Sequence, residues 1–240
     1  MGTWNVHGGR SSWGEVFHDG YVERVLDDQR LDLVVLQETE VSSSGDETIF
    51  AGSADIRTWP ICPSDVTPDG QCGLSVIASS GRSSLGDWRL VRLTNPEFSR
   101  GSGEDVWKSF DKAFIAGQVS VGPNTIVVVN LHFHAFRVFG CDPSDFPSLW
   151  SELASRIGEV ARDRPAVIMG DFNSQDRSLF LRHYPATLTS LIDGRYTTSS
   201  GLSLDDILVS SHFTPLESNV IETESDHHLC TASLSLPASA

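Results

Sequence analysis

The stretch Ala166-Val167-Ile168-Met169-Gly170-Asp171-Phe172-Asn173 is a continuous apolar run that ends in polar side chains. A short apolar run without alternation is typical of a strand covered on both faces. Polar residues that directly follow such a strand are carried to the end of its sheet. The stretch therefore predicts a buried strand that delivers Asp171 and Asn173 to one edge of a sheet.

The same arrangement recurs where other apolar strands end. Asn5 ends the first strand of the chain, and Glu38 follows the buried run 31–37. His132 and His134 close a third run. Each of these residues alone has an ordinary explanation as a turn former, a helix cap or a solvated strand terminus. Because the coincidence is repeated along the chain, we interpret the set as one functional site.

The rest of the chain reads as a mixture of strands and fewer helices. Short apolar runs predict strands at 3–7, 31–37, 74–79, 88–93, 113–121, 125–134, 166–170, 206–210 and 229–236. Apolar stripes predict two helices, one through Val16, Val22, Val25 and Leu26 and one through Leu149, Leu153, Ile157 and Val160. A third helix is predicted over 177–184, before Pro185. Polar stretches predict long surface loops at 41–46 and 95–104.

Length and composition indicate an ordinary globular protein. The chain has 240 residues, of which 39% are hydrophobic and 20% charged. We find no linker, repeat or low-complexity tract and expect a single α/β domain over residues 1–240. The longest apolar runs are far shorter than the roughly 20 residues of a membrane-spanning helix, so we expect a soluble protein without stable membrane insertion.

The charge of the chain restricts its partners. Acidic residues outnumber basic ones by 32 to 17, which gives a net charge of -15. Such a charge repels polyanions at long range and disfavours a nonspecific duplex-binding protein. Divalent cations held by acidic residues would invert the field locally. The charge is therefore compatible with a phosphate site, provided that a metal forms part of it.

Cysteine usage and the first residues leave the compartment open. The four cysteines have no Cys-x-x-Cys spacing, which disfavours a zinc site. Cys62 and Cys72 are either bridged across a small loop or ordinary thiols. A strand predicted from residue 3, with no signal-peptide pattern before it, fits a cytoplasmic protein or a secreted one whose signal has been removed.

Six short motifs occur in order along nearly the whole chain: Thr3-Trp4-Asn5-Val6-His7-Gly8, Leu36-Gln37-Glu38-Thr39, Asn130-Leu131-His132, Gly170-Asp171-Phe172-Asn173, Leu204-Asp205-Asp206-Ile207-Leu208-Val209-Ser210 and Ser225-Asp226-His227. In type and order they resemble the motifs of the endonuclease/exonuclease/phosphatase superfamily, which includes nucleases, sphingomyelinases, inositol polyphosphate 5-phosphatases and deadenylases. The resemblance implies a four-layered α/β/β/α sandwich of two packed mixed sheets flanked by helices. It also implies metal-dependent hydrolysis of phosphate esters.

The resemblance assigns a metal site to three of these residues. It implies that Glu38 and Asn5 hold a divalent ion, with Asp226 as an additional ligand. A phosphodiester repels nucleophiles, so its hydrolysis needs a cation on the phosphoryl oxygens and an activated water. Mg²⁺ binds through only one or two carboxylates and keeps several waters, which suits so sparse a site, and Mn²⁺ is an acceptable substitute.

The resemblance also assigns the proton-transfer groups. It implies that His227 exchanges a proton with the reacting oxygens and that Asp205 orients its imidazole, as in other His-carboxylate pairs. The family pattern selects Asp205 over Asp206, which is expected on the opposite face of the strand. His228, the neighbour of His227, has no family role.

The remaining site residues follow from the same resemblance. Asp171 aligns or deprotonates the attacking water, Asn173 bonds a phosphoryl oxygen or that water, and His132 donates to the phosphate. His134 shares a strand face with His132 and is a candidate substrate contact or a structural residue. Arg10 is a further candidate for substrate binding. His7 stands where some family members carry an acidic or amide residue, which puts a second metal site in doubt.

Three functions compete for this site. A nuclease would bind phosphates and bases, and its candidate contacts are Arg10, Arg100, Arg137, Arg177, Trp13, Trp59 and Trp107. A phosphodiesterase or phosphatase for a small molecule or lipid headgroup needs only a few arginines, and the acidic balance favours it; a bilayer would require an apolar segment such as 133–139. A noncatalytic binding module is disfavoured because the whole set of site residues is present. We favour the nuclease, with nucleic acid or a small phosphate ester as the substrate, and infer no protein partner.

Overall fold

Strands dominate the part of the chain that the computed structural model describes, which is residues 1–17, 20–41, 55–63, 70–79, 81–102 and 106–236. In chain order these strands are β1 (Gly2–Asn5), β2 (Leu33–Val41), β3 (Asp55–Pro63), β4 (Gln71–Ala78), β5 (Ser83–Arg92), β6 (Ser99–Arg100), β7 (Trp107–Lys108), β8 (Ala113–Val121), β9 (Asn124–His132), β10 (Ala166–Asp171), β11 (Leu188–Ser190), β12 (Asp205–Ser210), β13 (Thr214–Ile221) and β14 (Leu229–Ser235). The α-helices are α1 (Tyr21–Asp28), α2 (Pro147–Ala161) and α3 (Ser178–Leu181).

Twelve of these strands form two mixed sheets of six. The first sheet has the order β13-β14-β1-β2-β4-β3, and the second has the order β11-β12-β10-β9-β8-β5. In each sheet the parallel pair is joined through a helix: α1 connects β1 to β2, and α2 connects β9 to β10. A parallel pair needs such a crossover because a tight turn cannot reverse the chain direction twice.

The two sheets pack face to face through aliphatic side chains. Val35 and Val76 of the first sheet lie in one buried cluster with Val128, Val167 and Ile207 of the second. All five are at most 1% exposed. Burial of these side chains is the main force that holds the two sheets together.

Helices cover the outer faces of both sheets. Val22 of α1 is buried against Trp4 and Leu36 of the first sheet. Leu153 and Ile157 of α2 are buried against the second sheet, and α3 packs beside α2. The order of layers is therefore helix, sheet, sheet, helix, which confirms the predicted four-layered α/β/β/α sandwich.

A buried polar network also joins the sheets, below the ends of β1 and β2. Gln37 Nε2 donates to Asn130 Oδ1 at 2.6 Å and to Thr3 Oγ1 at 3.0 Å. Asn130 Nδ2 donates to the carbonyls of Leu36 at 2.8 Å and Ser75 at 2.9 Å. Gln37 and Asn130 are fully buried. The network sets how the first sheet sits on the second, directly behind Glu38.

The predicted elements are present, with shifted ends. The first strand stops at Asn5 rather than residue 7, and the strand predicted over 125–134 stops at His132. Val16 lies outside α1 and is 71% exposed, so its place in the helical stripe was wrong. The third helix occupies only Ser178–Leu181 of the predicted 177–184.

Several strands were not predicted because their patterns are weak. β3 and β13 lie at the edges of the first sheet. β3 is only partly buried and contains Pro60 and Pro63, and β13 is largely exposed and contains Pro215. Apolar periodicity is lost at such exposed edges. The loop predicted at 95–104 contains the two-residue strand β6 in its described part, whereas residues 42–46 of the other loop lie outside the described residues.

Two other expectations concern cysteines and the membrane. Cys62 and Cys72 lie directly opposite each other on β3 and β4 and are unbridged thiols. Of the two alternatives, a disulfide or ordinary thiols, the structure has the ordinary thiols. No helix in the described ranges has both the length and the apolar character needed to span a bilayer. Phe133 and Phe136, in the segment considered for lipid contact, are at most 1% exposed and belong to the core.

Candidate active site

The site lies where the central strands of both sheets end. β1 ends at Asn5, β9 at His132 and β10 at Asp171, which is paired with His132 on one side and Asp205 on the other. β1 and β10 are neighbours across the sheet interface. Consequently, polar residues that are far apart in sequence converge at one end of the sandwich.

Backbone irregularities turn three of these side chains toward the site. The register of β2 against β4 shifts between Gln37 and Thr39, so Glu38 is the extra residue of a bulge. Its φ is 54°, and His7 and Asn173 have φ values of 47° and 52°. Such left-handed conformations are costly for residues other than glycine and cluster at functional sites. The bulge interrupts the alternation of β2 and leaves Glu38 partly exposed between buried neighbours.

His227 and Asp205 form a buried hydrogen-bonded pair. His227 Nδ1 lies 2.8 Å from Asp205 Oδ2, and the two residues are 8% and 0% exposed. Burial opposes the charge on the imidazole, but Asp205, Asp171 and Asp226 together hold the pKa of His227 well above its usual value. His227 Nε2 points toward Asp171, with 3.9 Å between it and Oδ2.

Asp171 is a buried carboxyl surrounded by few positive charges. Burial, together with repulsion from Asp205 and Glu38, raises its pKa to about 7, against the opposing effects of His227 and of a hydrogen bond from the Asn173 backbone. Asn5 Nδ2 donates to Glu38 Oε1 at 2.9 Å and to Asp171 Oδ2 at 3.4 Å. A neutral amide thus bridges the two carboxylates.

His132 faces the same two carboxylates. Its Nε2 lies 3.6 Å from Glu38 Oε1 and 3.7 Å from Asp171 Oδ2. Burial, then the charge of Lys112, lowers its pKa well below the usual value, so the ring is neutral. Lys112 Nζ approaches His132 Nε2 to 3.4 Å. Lys112 is a site residue to which the sequence analysis assigned no role.

Asn173 and Asp226 complete the set. Asn173 Nδ2 donates to the carbonyl of Phe133 at 3.0 Å, and its backbone amide donates to Asp171 Oδ1 at 2.7 Å. Asp226 is 40% exposed at its side chain and lies 3.6 Å from His7 Nδ1. A histidine therefore stands beside Asp226 at the position where the resemblance noted a departure.

Most of these groups line one cavity of about 530 Å³, whereas the buried Asn5 and Asp205 do not line it. Its polar end carries the charged and imidazole groups, and its other walls are apolar. The polar lining comprises His7, Glu38, Lys112, His132, Arg137, Asp171, Asn173, Asp226 and His227. The apolar lining includes Ile61, Pro63, Leu74, Phe110, Val138, Leu202 and Leu204. Phe110 and Val138 remain 46% and 44% exposed, so both are accessible to a ligand in the cavity.

Two predicted substrate contacts are not brought to this cavity. His134 is 1% exposed, and its Nε2 meets the carbonyl of Thr94 at 3.1 Å, which is the structural position considered for it. Arg10 donates to the carbonyl of Gly14 at 3.1 Å and does not line the cavity. Arg177, a candidate for phosphate contact, is 6% exposed and paired with Asp206 at 3.0 Å. It is an internal ion pair.

The three tryptophans considered as contacts to nucleic-acid bases are also not brought together at the cavity. Trp59 packs against Trp88 with ring centroids 5.8 Å apart, whereas Trp13 and Trp107 are 76% and 67% exposed. None of the three lines the cavity within the described part of the chain. Phe110, which does line it, was missed because a single exposed phenylalanine in a loop carries no periodic signal.

The residues present fit a divalent cation. Donor atoms of Asp171, Asp205 and His227 all lie within 4.8 Å of one another, a spacing compatible with a metal site. The contact between His227 and Asp205 is already a hydrogen bond, however, and a cation on those two atoms would have to break it. Burial and the neighbouring carboxylates raise the pKa of Asp171 despite the charge of His227, and a bound cation would offset that effect.

This fold and this site define a class of metal-dependent phosphoesterases. The model of the Endonuclease/Exonuclease/phosphatase family matches residues 2–227, and the chain belongs to that family. It is an enzyme fold of hydrolases that act on phosphate esters and are generally dependent on a divalent metal. No curated protein matches the sequence significantly.

Solved structures show the same fold at low sequence identity. The human Nocturnin catalytic domain with bound sulfate is 17% identical with a TM-score of 0.71, covering 98% of this chain and 93% of that one. A mannosyl-6-phosphatase from Bacteroides thetaiotaomicron is 14% identical with a TM-score of 0.68, covering 98% of both chains. D. rerio TDP2 complexed with a single-strand DNA product is 17% identical with a TM-score of 0.66, covering 98% and 97%.

Proposed function

We propose that this protein is a magnesium-dependent phosphodiester hydrolase that cleaves nucleic acid by in-line attack of water. The observation that carries the proposal is the convergence of the His227–Asp205 pair, Asp171 and Glu38 on one cavity. A proton donor, a proton acceptor and a cation site within one cavity are the parts that phosphodiester hydrolysis needs. We also propose that residues 1–240 act as a single domain.

The proton transfers follow from the charges of the two groups. In the metal-free protein, burial raises the pKa of Asp171 to about 7, and in this proposal the Asp171 carboxylate takes the proton from water while the water oxygen bonds to phosphorus. His227, held cationic by Asp205, gives a proton from Nε2 to the oxygen that leaves when the ester P–O bond breaks. Asn173 and neutral His132 donate hydrogen bonds to the phosphoryl oxygens.

Glu38, Asn5 and Asp226 hold the metal in this proposal. The bound ion supplies positive charge to the phosphoryl oxygens. Mg²⁺ is the expected ion because it accepts few protein ligands and retains waters, and Mn²⁺ would substitute. Lys112 adds a second positive charge beside His132.

A second candidate is a hydrolase for a small phosphate ester, including a lipid headgroup. The cavity favours it, because Lys112 and Arg137 are the only Lys or Arg side chains in its described lining. The apolar wall could hold the organic part of a small substrate. TDP2 is a neighbour crystallised with DNA and the Bacteroides protein is named as a sugar phosphatase, so neighbours of both kinds share this fold.

The test is hydrolysis by the purified protein of plasmid, single-stranded RNA, sphingomyelin and inositol phosphates, with Mg²⁺ or a chelator. We expect nucleic acid cleavage that requires the metal and falls at least about 10²-fold in Glu38→Ala and His227→Ala. His212→Ala is the matched control, because His212 lies in the turn after β12 and outside the cavity. Cleavage of a small ester alone would favour the second candidate. A metal-binding protein that cleaves nothing would be a noncatalytic module.

A further inference from the structure

We propose that Thr197 is a positioning residue that fixes the orientation of the Asp205 carboxylate and thereby that of His227. Thr197 belongs to no motif of the sequence and lies between β11 and β12. Its effect on catalysis rests on the function proposed above. Its effect on the His227–Asp205 pair does not depend on that function.

The hydroxyl of Thr197 bonds to the same oxygen that holds the imidazole. Thr197 Oγ1 lies 2.7 Å from Asp205 Oδ2, and His227 Nδ1 lies 2.8 Å from that atom. Thr197 and Asp205 are both fully buried. Water therefore does not compete for these bonds, and their geometry is set by the protein.

The direction of the hydroxyl bond is determined by the backbone. Two amides donate to Thr197 Oγ1, that of Leu204 at 2.9 Å and that of Asp205 at 3.0 Å. A hydroxyl has two acceptor positions and a single proton. With both acceptor positions filled, its proton is left to donate. The carboxylate at 2.7 Å is a nearer and stronger acceptor than the Leu202 carbonyl at 3.4 Å.

In the described part of the chain, no hydrogen bond other than that of Thr197 determines which Asp205 oxygen faces His227. Among the described residues, Asp205 Oδ1 is buried without a hydrogen-bond partner, so both bonds of the carboxylate are made by Oδ2. Without the hydroxyl, only the imidazole would hold the carboxylate, which could then rotate about its Cβ–Cγ bond. Thr197 thus removes a freedom that would loosen the imidazole.

The same segment holds the backbone around His227. The amide of His228 donates to the Thr197 carbonyl at 2.8 Å, and the amide of Ser199 donates to the Asp226 carbonyl at 2.8 Å. Thr197 therefore binds Asp205 through its side chain, and the segment 197–199 holds the residues on either side of His227 through the main chain. This double attachment fixes their relative position.

The experiment compares Thr197→Val, which keeps the shape and loses the hydroxyl, with Thr197→Ser, which keeps the hydroxyl. We expect kcat to fall about 10- to 100-fold in Thr197→Val, by analogy with the loss seen when hydrogen-bond partners that orient metal-binding side chains are removed. KM should change little, because Thr197 does not line the cavity. Thr197→Ser should recover most of kcat.

Thr198→Val is the matched control. Thr198 is also a buried threonine, but its hydroxyl bonds to Ser200 and Leu202 and not to Asp205. It removes a buried hydroxyl from the same segment without touching the pair. A loss of kcat confined to Thr197→Val would therefore separate positioning from a general loosening of the segment.

A second readout is the NMR resonance of the His227 Nδ1 proton, assigned by its absence in His227→Gln. We expect it to be sharp in the wild type and Thr197→Ser, and broadened by exchange in Thr197→Val. If Thr197→Val does not fold, Thr197→Ala replaces it. The proposal is overturned if the resonance and kcat survive the loss of the hydroxyl, or if Thr197→Ser loses as much as Thr197→Val. If the wild type hydrolyses no ester, the proposed function fails while the resonance still tests the placement of Thr197.

Discussion

At the scale of single residues, the protein accepts unfavourable local energies in its candidate site. Asp171 is buried beside other carboxylates, and Glu38, His7 and Asn173 have left-handed backbones. Features of this kind are retained at functional sites although they lower stability. Asp171 is the clearest case, because its raised pKa measures the free energy lost when it ionises in the folded protein.

Because Asp171 is buried, we expect Asp171→Asn to increase the free energy of unfolding of the metal-free protein, by an amount that depends on pH. The pKa is about 7 when folded against an ordinary 3.8, so the folded state binds more protons between these values and stability falls as the pH rises through them. The variant lacks this loss. We expect the difference in free energy of unfolding between the variant and the wild type to increase by about 2 kcal/mol, in favour of the variant, from pH 5 to pH 7.5.

Urea unfolding in the presence of a chelator measures this difference. Asp163→Asn is a suitable control, because Asp163 is an exposed carboxylate after α2. A wild type whose stability relative to Asp171→Asn is the same at both pH values would contradict the prediction. Hydrolysis should fall in Asp171→Asn although the fold becomes more stable, since the variant cannot accept a proton.

At the scale of elements, local irregularities and one polar network decide where side chains point. A bulge places Glu38, and the Gln37–Asn130 bond ties β2 to β9 immediately before it. Gly170 has a φ of 140°, and a side chain there would overlap the Leu131 carbonyl. These three features bring the ends of β2, β9 and β10 together.

Asn130→Ala is expected to destabilise the fold by about 2–4 kcal/mol. The substitution removes one of the two acceptors of Gln37 Nε2 and the side-chain donor to the carbonyls of Leu36 and Ser75, and the loss of a buried hydrogen-bond partner costs about 1–3 kcal/mol before relaxation. Urea denaturation gives the free energy. Asn219→Ala, on the exposed face of β13, should change it by less than about 0.5 kcal/mol. Equal effects in the two variants would show that the network does not stabilise the sheet interface.

The sequence predicted elements where burial imposes a period, and failed where it does not. The strands of the two sheet centres were recognised from apolar runs, whereas β3 and β13 are edge strands that are partly or largely exposed. The family resemblance selected Asp205 over Asp206, strand alternation placed Asp206 on the opposite face, and the structure places Asp205 against His227 and Asp206 against Arg177. Thr197 and Lys112 have no such pattern, because their roles depend on contacts between distant segments. His134 and Arg177 were candidates by residue type, yet both are internal.

At the scale of the whole molecule, the negative net charge of the chain opposes the attraction of a phosphate to the positive groups of the cavity. The chain carries a net charge of -15, while the cavity presents Lys112, Arg137 and a cation site to a phosphate. Long-range repulsion therefore acts on a polyanion before the short-range attraction begins. A small monoanionic ester experiences far less of this repulsion.

This opposition predicts an unusual salt dependence. Raising the ionic strength from about 20 to about 150 mM at constant Mg²⁺ shortens the Debye length from roughly 20 to 8 Å. We expect kcat/KM for single-stranded nucleic acid to rise about two- to fivefold, because screened repulsion speeds encounter. A small diester assayed in parallel should change little. A steep fall for nucleic acid would instead reveal several phosphate contacts outside the cavity.

The two members of the His227–Asp205 pair belong to different halves of the sandwich. Asp205 begins β12 in the second sheet, and His227 lies two residues before the start of β14 in the first. A chain that has formed both sheets but has not docked them would thus have nearly its full strand content and no working pair. During refolding, the recovery of hydrolysis should therefore coincide with the docking of the two sheets and lag behind the far-UV circular dichroism signal of the strands. The enzymatic activity would then report when the two sheets have assembled.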